Sequence, residues 1–220
     1  MDTLRTHGDP TGASAIRPEQ INAVSAHAEP AQALQNDLWL ADLHGLGIVN
    51  LRGKGVYQML ARGNGWGVAN IGELVRSDEG WIAGLTVDEA LLLTAEAKEV
   101  TGLVKGFSSE KDGSLITVTD MTHGYCALAV GGAQVQRVLA MLTGLDLRAR
   151  SFPSGSVAQT SVAKLHALLL RADIGDIPAY LALVGRSVGA YLWDVIVDVS
   201  QAEGTVAIDG NDLRTTWLSP

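Results

Sequence analysis

At 220 residues the chain is long enough to bury one large core or two small ones. It is 47% apolar and 18% charged, and its net charge of −8 comes without any dense basic run, which excludes nucleic acid and anionic membrane as expected partners. The single cysteine, Cys126, excludes an intrachain disulfide and a cysteine-rich zinc cluster, and its alternating apolar neighbours predict a buried packing role.

No apolar run approaches the roughly 18 residues a membrane-spanning helix needs, and no basic stretch followed by an apolar one marks a secretory signal. The expected compartment is the cytoplasm. Residues 1–35 mix Gly, Pro, Ala, Ser, His and Asp without a sustained period and are expected to form a flexible arm, ordered only against something else. Regular structure is expected from Trp39 onward. Leu46–Leu51 reads as a strand and Lys54–Ala61 as a short helix ended by Gly63. Ile82–Leu85 and Ala90–Thr94, joined by a polar turn, predict a hairpin. Val100, Leu103, Val104 and Phe107 fall on one helical face, and Leu115–Thr119 reads as the next strand.

The order then starts again. Tyr125–Val130 predicts a strand, and Val135, Val138, Leu139 and Leu142 a helix stopped by Gly144. Leu165–Leu170 and Tyr180–Val184 predict two strands, Val188 to Val199 the strongest helical stripe, and Thr205–Ile208 a last strand. Each half reads βαββαβ, the ferredoxin-like order, so the expected fold class is α+β. Asp42 and Asp120 each stand eleven residues before a glycine, Gly53 and Gly131, which points to an internal duplication with repeats of about 40–119 and 120–209.

Chemistry-bearing patterns are few. Gly63-Asn-Gly65-Trp-Gly67 lacks the preceding strand and following acidic residue of a dinucleotide loop, and Arg52-Gly-Lys-Gly55 lacks a P-loop ending. Asp42 with His44, and Asp120 with His123, read as local turn bonds in place of a catalytic pair. No histidine pair has the spacing of a helical metal site, so no catalytic and no metal-binding residue is expected. Trp193 and Val197 lie opposite the main stripe of the last helix. A helix apolar on two faces must be covered twice, so these two residues are the candidate partner interface, with a second internal layer as the alternative.

The second half carries a resemblance. Val118-Thr-Asp-Met-Thr-His-Gly-Tyr-Cys-Ala-Leu-Ala-Val-Gly-Gly132, followed by Val138-Leu-Ala and Leu145-Asp-Leu147, resembles the folate-binding domain of glycine-cleavage T-proteins. Phe152-Pro-Ser-Gly-Ser156, Ala158-Gln-Thr160 and Gly185-Arg-Ser-Val188 through Trp193 resemble, more narrowly, the gamma subunit of heterotetrameric sarcosine oxidase. The resemblance implies one T-protein-like domain over residues 36–220, without the C-terminal barrel. It implies a non-catalytic assembly subunit of a complex that oxidatively demethylates sarcosine to glycine. No cofactor is then expected on this chain: FAD, FMN, NAD and tetrahydrofolate would sit on partner subunits, named alpha, beta and delta in that family. The equivalent subunit of an N-methylglutamate dehydrogenase is an alternative, as is a stand-alone tetrahydrofolate-binding aminomethyltransferase-like protein. Against the latter, Asp176 stands where T-proteins carry a pterin-holding Glu, one methylene too short, and Gly80–Gly84 lacks the catalytic Asp. Asp176 is the weak folate candidate.

Overall fold

A strand with apolar side chains on both faces must be covered on both faces, which calls for a layered structure. The computed structural model describes residues 14–22, 24, 27–28, 34–62, 65–109 and 115–218. The first part holds α1 (Pro18–Asn22), β1 (His27–Ala28), β2 (Trp39–Asp42), β3 (Gly47–Arg52), α2 (Val56–Leu60), β4 (Leu74–Ser77), β5 (Gly80–Thr86), β6 (Glu89–Thr94) and α3 (Val100–Ser109). The second holds β7 (Thr117–Asp120), β8 (Tyr125–Gly131), α4 (Val135–Ala140), β9 (Ser156–Val162), β10 (Leu165–Arg171), β11 (Ala179–Gly185), α5 (Gly189–Val199), β12 (Val206–Ile208) and α6 (Gly210–Leu218).

Two sheets form, in the orders β1-β12-β2-β8-β11-β10-β9 and β4-β5-β6-β3-β7. Alternation along each strand builds three apolar layers. Ile48, Leu91 and Leu93 of the five-stranded sheet meet Ala129, Leu168 and Leu181 of the seven-stranded one. Val49, Leu51 and Leu92 turn the other way, under Val56, Met59 and Phe107 of α2 and α3. Leu128, Val130 and Leu169 lie under Val138, Leu139, Leu192 and Ile196 of α4 and α5. The result is helices, sheet, sheet, helices, with each fully buried Leu or Ile worth about 1.5–3 kcal/mol of transfer free energy.

The mixed α+β expectation is met: the first expected βαββαβ unit is whole, in the order β7-β3-β6-β5, while β2 is inserted between β8 and β12 of the second. β2 leads into β3 yet pairs antiparallel with β8, while β7 leads into β8 yet pairs antiparallel with β3. Counted from β2 and β7, the repeats have exchanged their first strands. In the five-stranded sheet β7-β3-β6-β5 keeps the ferredoxin-like order with β4 added at one edge; in the other sheet β2 takes the place beside β8, and β12 lies beyond it. Counted this way, the repeats open at Trp39 and Thr117.

The glycine correspondence also shifts by one. Gly53 (φ +136°) and Gly132 (φ +117°), not Gly131, are the equivalent helix-entry positions. Each donates its N–H to the turn before a later strand, to Asp88 O at 2.8 Å and Pro178 O at 3.0 Å. Each excludes a side chain, since a Cβ would stand 2.1 Å from Leu115 O or 2.5 Å from Asp37 O. His-Gly follows Asp42 at His44-Gly45 and Asp120 at His123-Gly124, so the second turn holds one residue more.

Candidate functional site

Three places concentrate polar chemistry. The first is the turn between β2 and β3. Asp42 ends β2 with its carboxylate buried and accepts from the Ser14 hydroxyl, whose Oγ in turn accepts the Ile16 N–H at 2.8 Å. His44 Nδ1 lies 3.6 Å from Asp42 Oδ2, outside hydrogen-bonding range. The Asp42 side chain raises the His44 pKa above its ordinary value, against burial and the Arg214 guanidinium, which lower it. Arg214 reaches in from α6 and donates to His44 O and, at 3.2 Å, to Glu96 Oε1. Gly45 makes room for it: a Cβ there would stand 2.4 Å from Arg214 Nη1. A cavity of about 20 Å³ lies among Asp42, His44, Thr122, His123, Cys126 and Arg186, room for about one water. Burial pushes the Cys126 thiol up to about 12, so it stays a protonated packing group.

On the duplicated side, Asp120 Oδ1 accepts the Thr122 N–H at 2.9 Å, and Thr122 Oγ1 accepts the Ile48 N–H at 3.2 Å. The Asp120 turn bond therefore goes to Thr122, and His123 stands exposed. Asp42 is covered by the N-terminal segment and α6; Asp120 is open to solvent.

The second place is the loop after β10. Arg171 is buried and grips Asp173 with two parallel bonds, Nε to Oδ1 and Nη2 to Oδ2, both 2.9 Å. Its Nη1 donates to Phe152 O at 2.7 Å, and its guanidinium lies over the Tyr180 ring, on which Phe152 stacks. The arrangement staples residues 148–155 to residues 172–179. Asp176 is not part of it. Ile174 and Ile177 exchange backbone hydrogen bonds of 2.9 and 3.1 Å, which leaves Gly175 (φ +60°) and Asp176 exposed at the tip of a two-residue turn.

The third place is the second face of α5. Trp193 is 1% exposed and donates from Nε1 to Gln20 O at 3.3 Å, while Gln20 Nε2 donates to Asp194 at 2.7 Å. Ile16 and Val24 share its core, and Val197 packs partly buried against the same cluster. Trp193 is thus an inner residue covered by the chain's own N-terminal segment, which corrects its placement on a surface. Residues 14–22 of the expected arm are seated on the domain; residues 1–13 lie outside the described ones, as does Gly63.

No protein-family model matches the chain, and no curated protein matches it in sequence. Solved structures do match. Heterotetrameric sarcosine oxidase from Corynebacterium sp. U-96, in complex with pyrrole 2-carboxylate, superposes with a TM-score of 0.71 at 20% identity over 84% of this chain and 93% of that one. Glycine cleavage system aminomethyltransferase T from Bartonella henselae superposes with a TM-score of 0.67 at 14% identity over 94% of this chain and 57% of that one. The chain shares their fold. Both likenesses agree with the resemblance carried by the second repeat.

Sequence reasoning missed Ser14 and Arg214, whose partners are far away in sequence, and Arg171, which joins the nearby Asp173 to the distant Phe152 O. Arg171 had one usable signal: a cation closing the apolar run Ala167–Leu170, two residues before an Asp. Among the described residues no group of three or more His, Cys, Asp or Glu could hold a metal, and no helix is long and apolar enough to cross a membrane.

Proposed function

We propose that this chain is a gamma-like structural subunit of a heterotetrameric, flavin-dependent sarcosine oxidase-type complex, with FAD, FMN, NAD and tetrahydrofolate carried by its alpha, beta and delta partners. The observation that carries the reading is the likeness of fold over 93% of a sarcosine oxidase chain. The polar clusters support it, because each is spent on internal structure. Asp173 is held by Arg171, Asp42 by Ser14, and the cavity beside His44 has about 20 Å³, far below the volume a pterin occupies. Purified from its native source, the chain is expected to bring larger flavin-containing chains with it; a partner-free monomer contradicts the reading.

A second reading, an independent tetrahydrofolate-binding protein, is favoured by the aminomethyltransferase likeness over 94% of this chain. Asp176 stands exposed, without the enclosure that small-molecule sites have. Calorimetric titration of the full chain with tetrahydrofolate separates the two. The subunit reading expects no micromolar binding; micromolar binding abolished in Asp176→Ala promotes the folate reading in its place.

A further inference from the structure

Two sheets present four edges, of which two are joined to each other and a third ends on the two-residue β1. β4 and β9 are tied to each other: Leu74 N–H donates to Gly155 O at 2.8 Å and Val157 N–H to Gly72 O at 2.9 Å. On the far side of the seven-stranded sheet, β12 and β1 extend the ladder beyond β2. The fourth edge is β7, Thr117-Val-Thr-Asp120, and among the described residues no strand lies outside it. Edge strands left open in this way are templates for a further strand, and β7, though only four residues long and ending in Asp120, carries no proline, lysine or bulge.

The duplication shows what such an edge accepts. β7 holds in its sheet the position β2 holds in the other, with Val118 the counterpart of Leu40. Beyond β2 lies β12, parallel, in the register Val206 to Trp39 and Ala207 to Leu40. Among the described residues no hydrogen bond occupies the same backbone groups on β7. Met121 N–H donates to Ile48 O at 2.8 Å, so by the alternation of an antiparallel ladder Thr117 and Thr119 bond to β3. Val118 and Asp120 turn their N–H and C=O outward. Val118 packs half-buried on the helix side, whereas Thr117 and Thr119 are exposed. At the end of the sheet where β7 begins stand two exposed apolar side chains, Leu115 at 94% and Val87 at 71%. Val87 is placed there by the turn before Glu89, which pairs with Arg52, itself paired with Thr117.

We propose that the β7 edge docks an extended segment of a larger partner subunit, added parallel to β7 as β12 is added to β2; the proposal rests on the subunit reading above. The segment sets a small apolar residue beside Val118, polar residues beside Thr117 and Thr119, and an apolar residue near Leu115. A second copy of this chain fits less well. Across a two-fold axis it meets β7 antiparallel, on a ladder of four residues with one exposed polar face.

Hydrogen exchange at single-residue resolution, comparing the native complex with the full chain alone, tests it. The outward amides of Val118 and Asp120 are expected to slow at least about tenfold in the complex, while the inward amides of Thr117 and Thr119 hold their rates. A complex in which Val118 and Asp120 exchange as in the free chain overturns the docking edge and leaves the subunit reading standing. If no partner assembles, both fall. Protection of the same two amides in the chain alone at high concentration overturns the proposal in favour of self-pairing. Val118→Pro removes one outward donor and no bond to β3, and is expected to weaken partner association at least about tenfold. Unchanged association of a folded Val118→Pro chain overturns the proposal, and if that variant does not fold the exchange rates decide.

Discussion

At the scale of single residues, the strongest interactions are the ones that hold loops. Arg171 satisfies Asp173, Phe152 O and the face of Tyr180 at once, from a position almost fully buried. Arg171→Met strands the carboxylate and the carbonyl, and is expected to lower unfolding stability by about 3 kcal/mol. Adding Asp173→Asn should recover part of that loss, and a denaturant titration reads both; a loss below about 0.5 kcal/mol contradicts the staple. His44 gives a pH signature. Its folded pKa is raised above the ordinary value of 6.5, so its contribution is fully present below the unfolded pKa and is lost as pH rises through the folded one. The stability difference between wild type and His44→Gln should therefore shrink as pH rises through the neutral range. A difference independent of pH contradicts the Asp42 contact. The pairing of Asp42 with His44 was legible in the sequence, but Arg214 was not, since it meets His44 across 170 positions.

At the scale of elements, period and punctuation made much of the fold legible. The β5–β6 hairpin, the α3 and α5 stripes and the β8, β10 and β11 runs lie where apolar spacing predicts them. Elements with weak patterns escaped. β9 is an edge strand of Val, Ala, Gln, Thr and Ser, and α6 follows β12 as a mostly polar sequence that buries only Leu213, Arg214, Trp217 and Leu218 beyond its first residue. Trp217 nonetheless stands edge-on to both Trp39 and Trp81, centroids 6.5 and 5.1 Å away, and closes the layer between the sheets. The strand exchange was invisible for a different reason: pairing is non-local, and a reading of successive elements assumes that neighbours in sequence pair. The one-residue slip from Gly131 to Gly132 gives a direct check. Gly67→Ala, at φ +77° with open space around it, should cost about 1 kcal/mol of backbone strain. Gly132→Ala adds a clash with Asp37 O at 2.5 Å and should cost at least about 2 kcal/mol more. Equal costs contradict the assignment of Gly132 to the crowded helix entry.

At the scale of the whole molecule, the exchange of β2 and β7 welds the repeats together, because neither sheet is complete without a strand from the other half. The N-terminal segment and α6 then close one side of the pseudo-symmetric body over Asp42, and the corresponding side at Asp120 and β7 is left open. That asymmetry fits a chain built to be seated in a larger assembly. Whether this chain works as a subunit is read from the mass of the native assembly. Native mass spectrometry of the protein purified from its own source, with flavin absorbance recorded on the same sample, is predicted to place the chain in a stoichiometric complex with larger flavin-bearing chains. A species of 23.1 kDa, free of flavoprotein partners, contradicts the account.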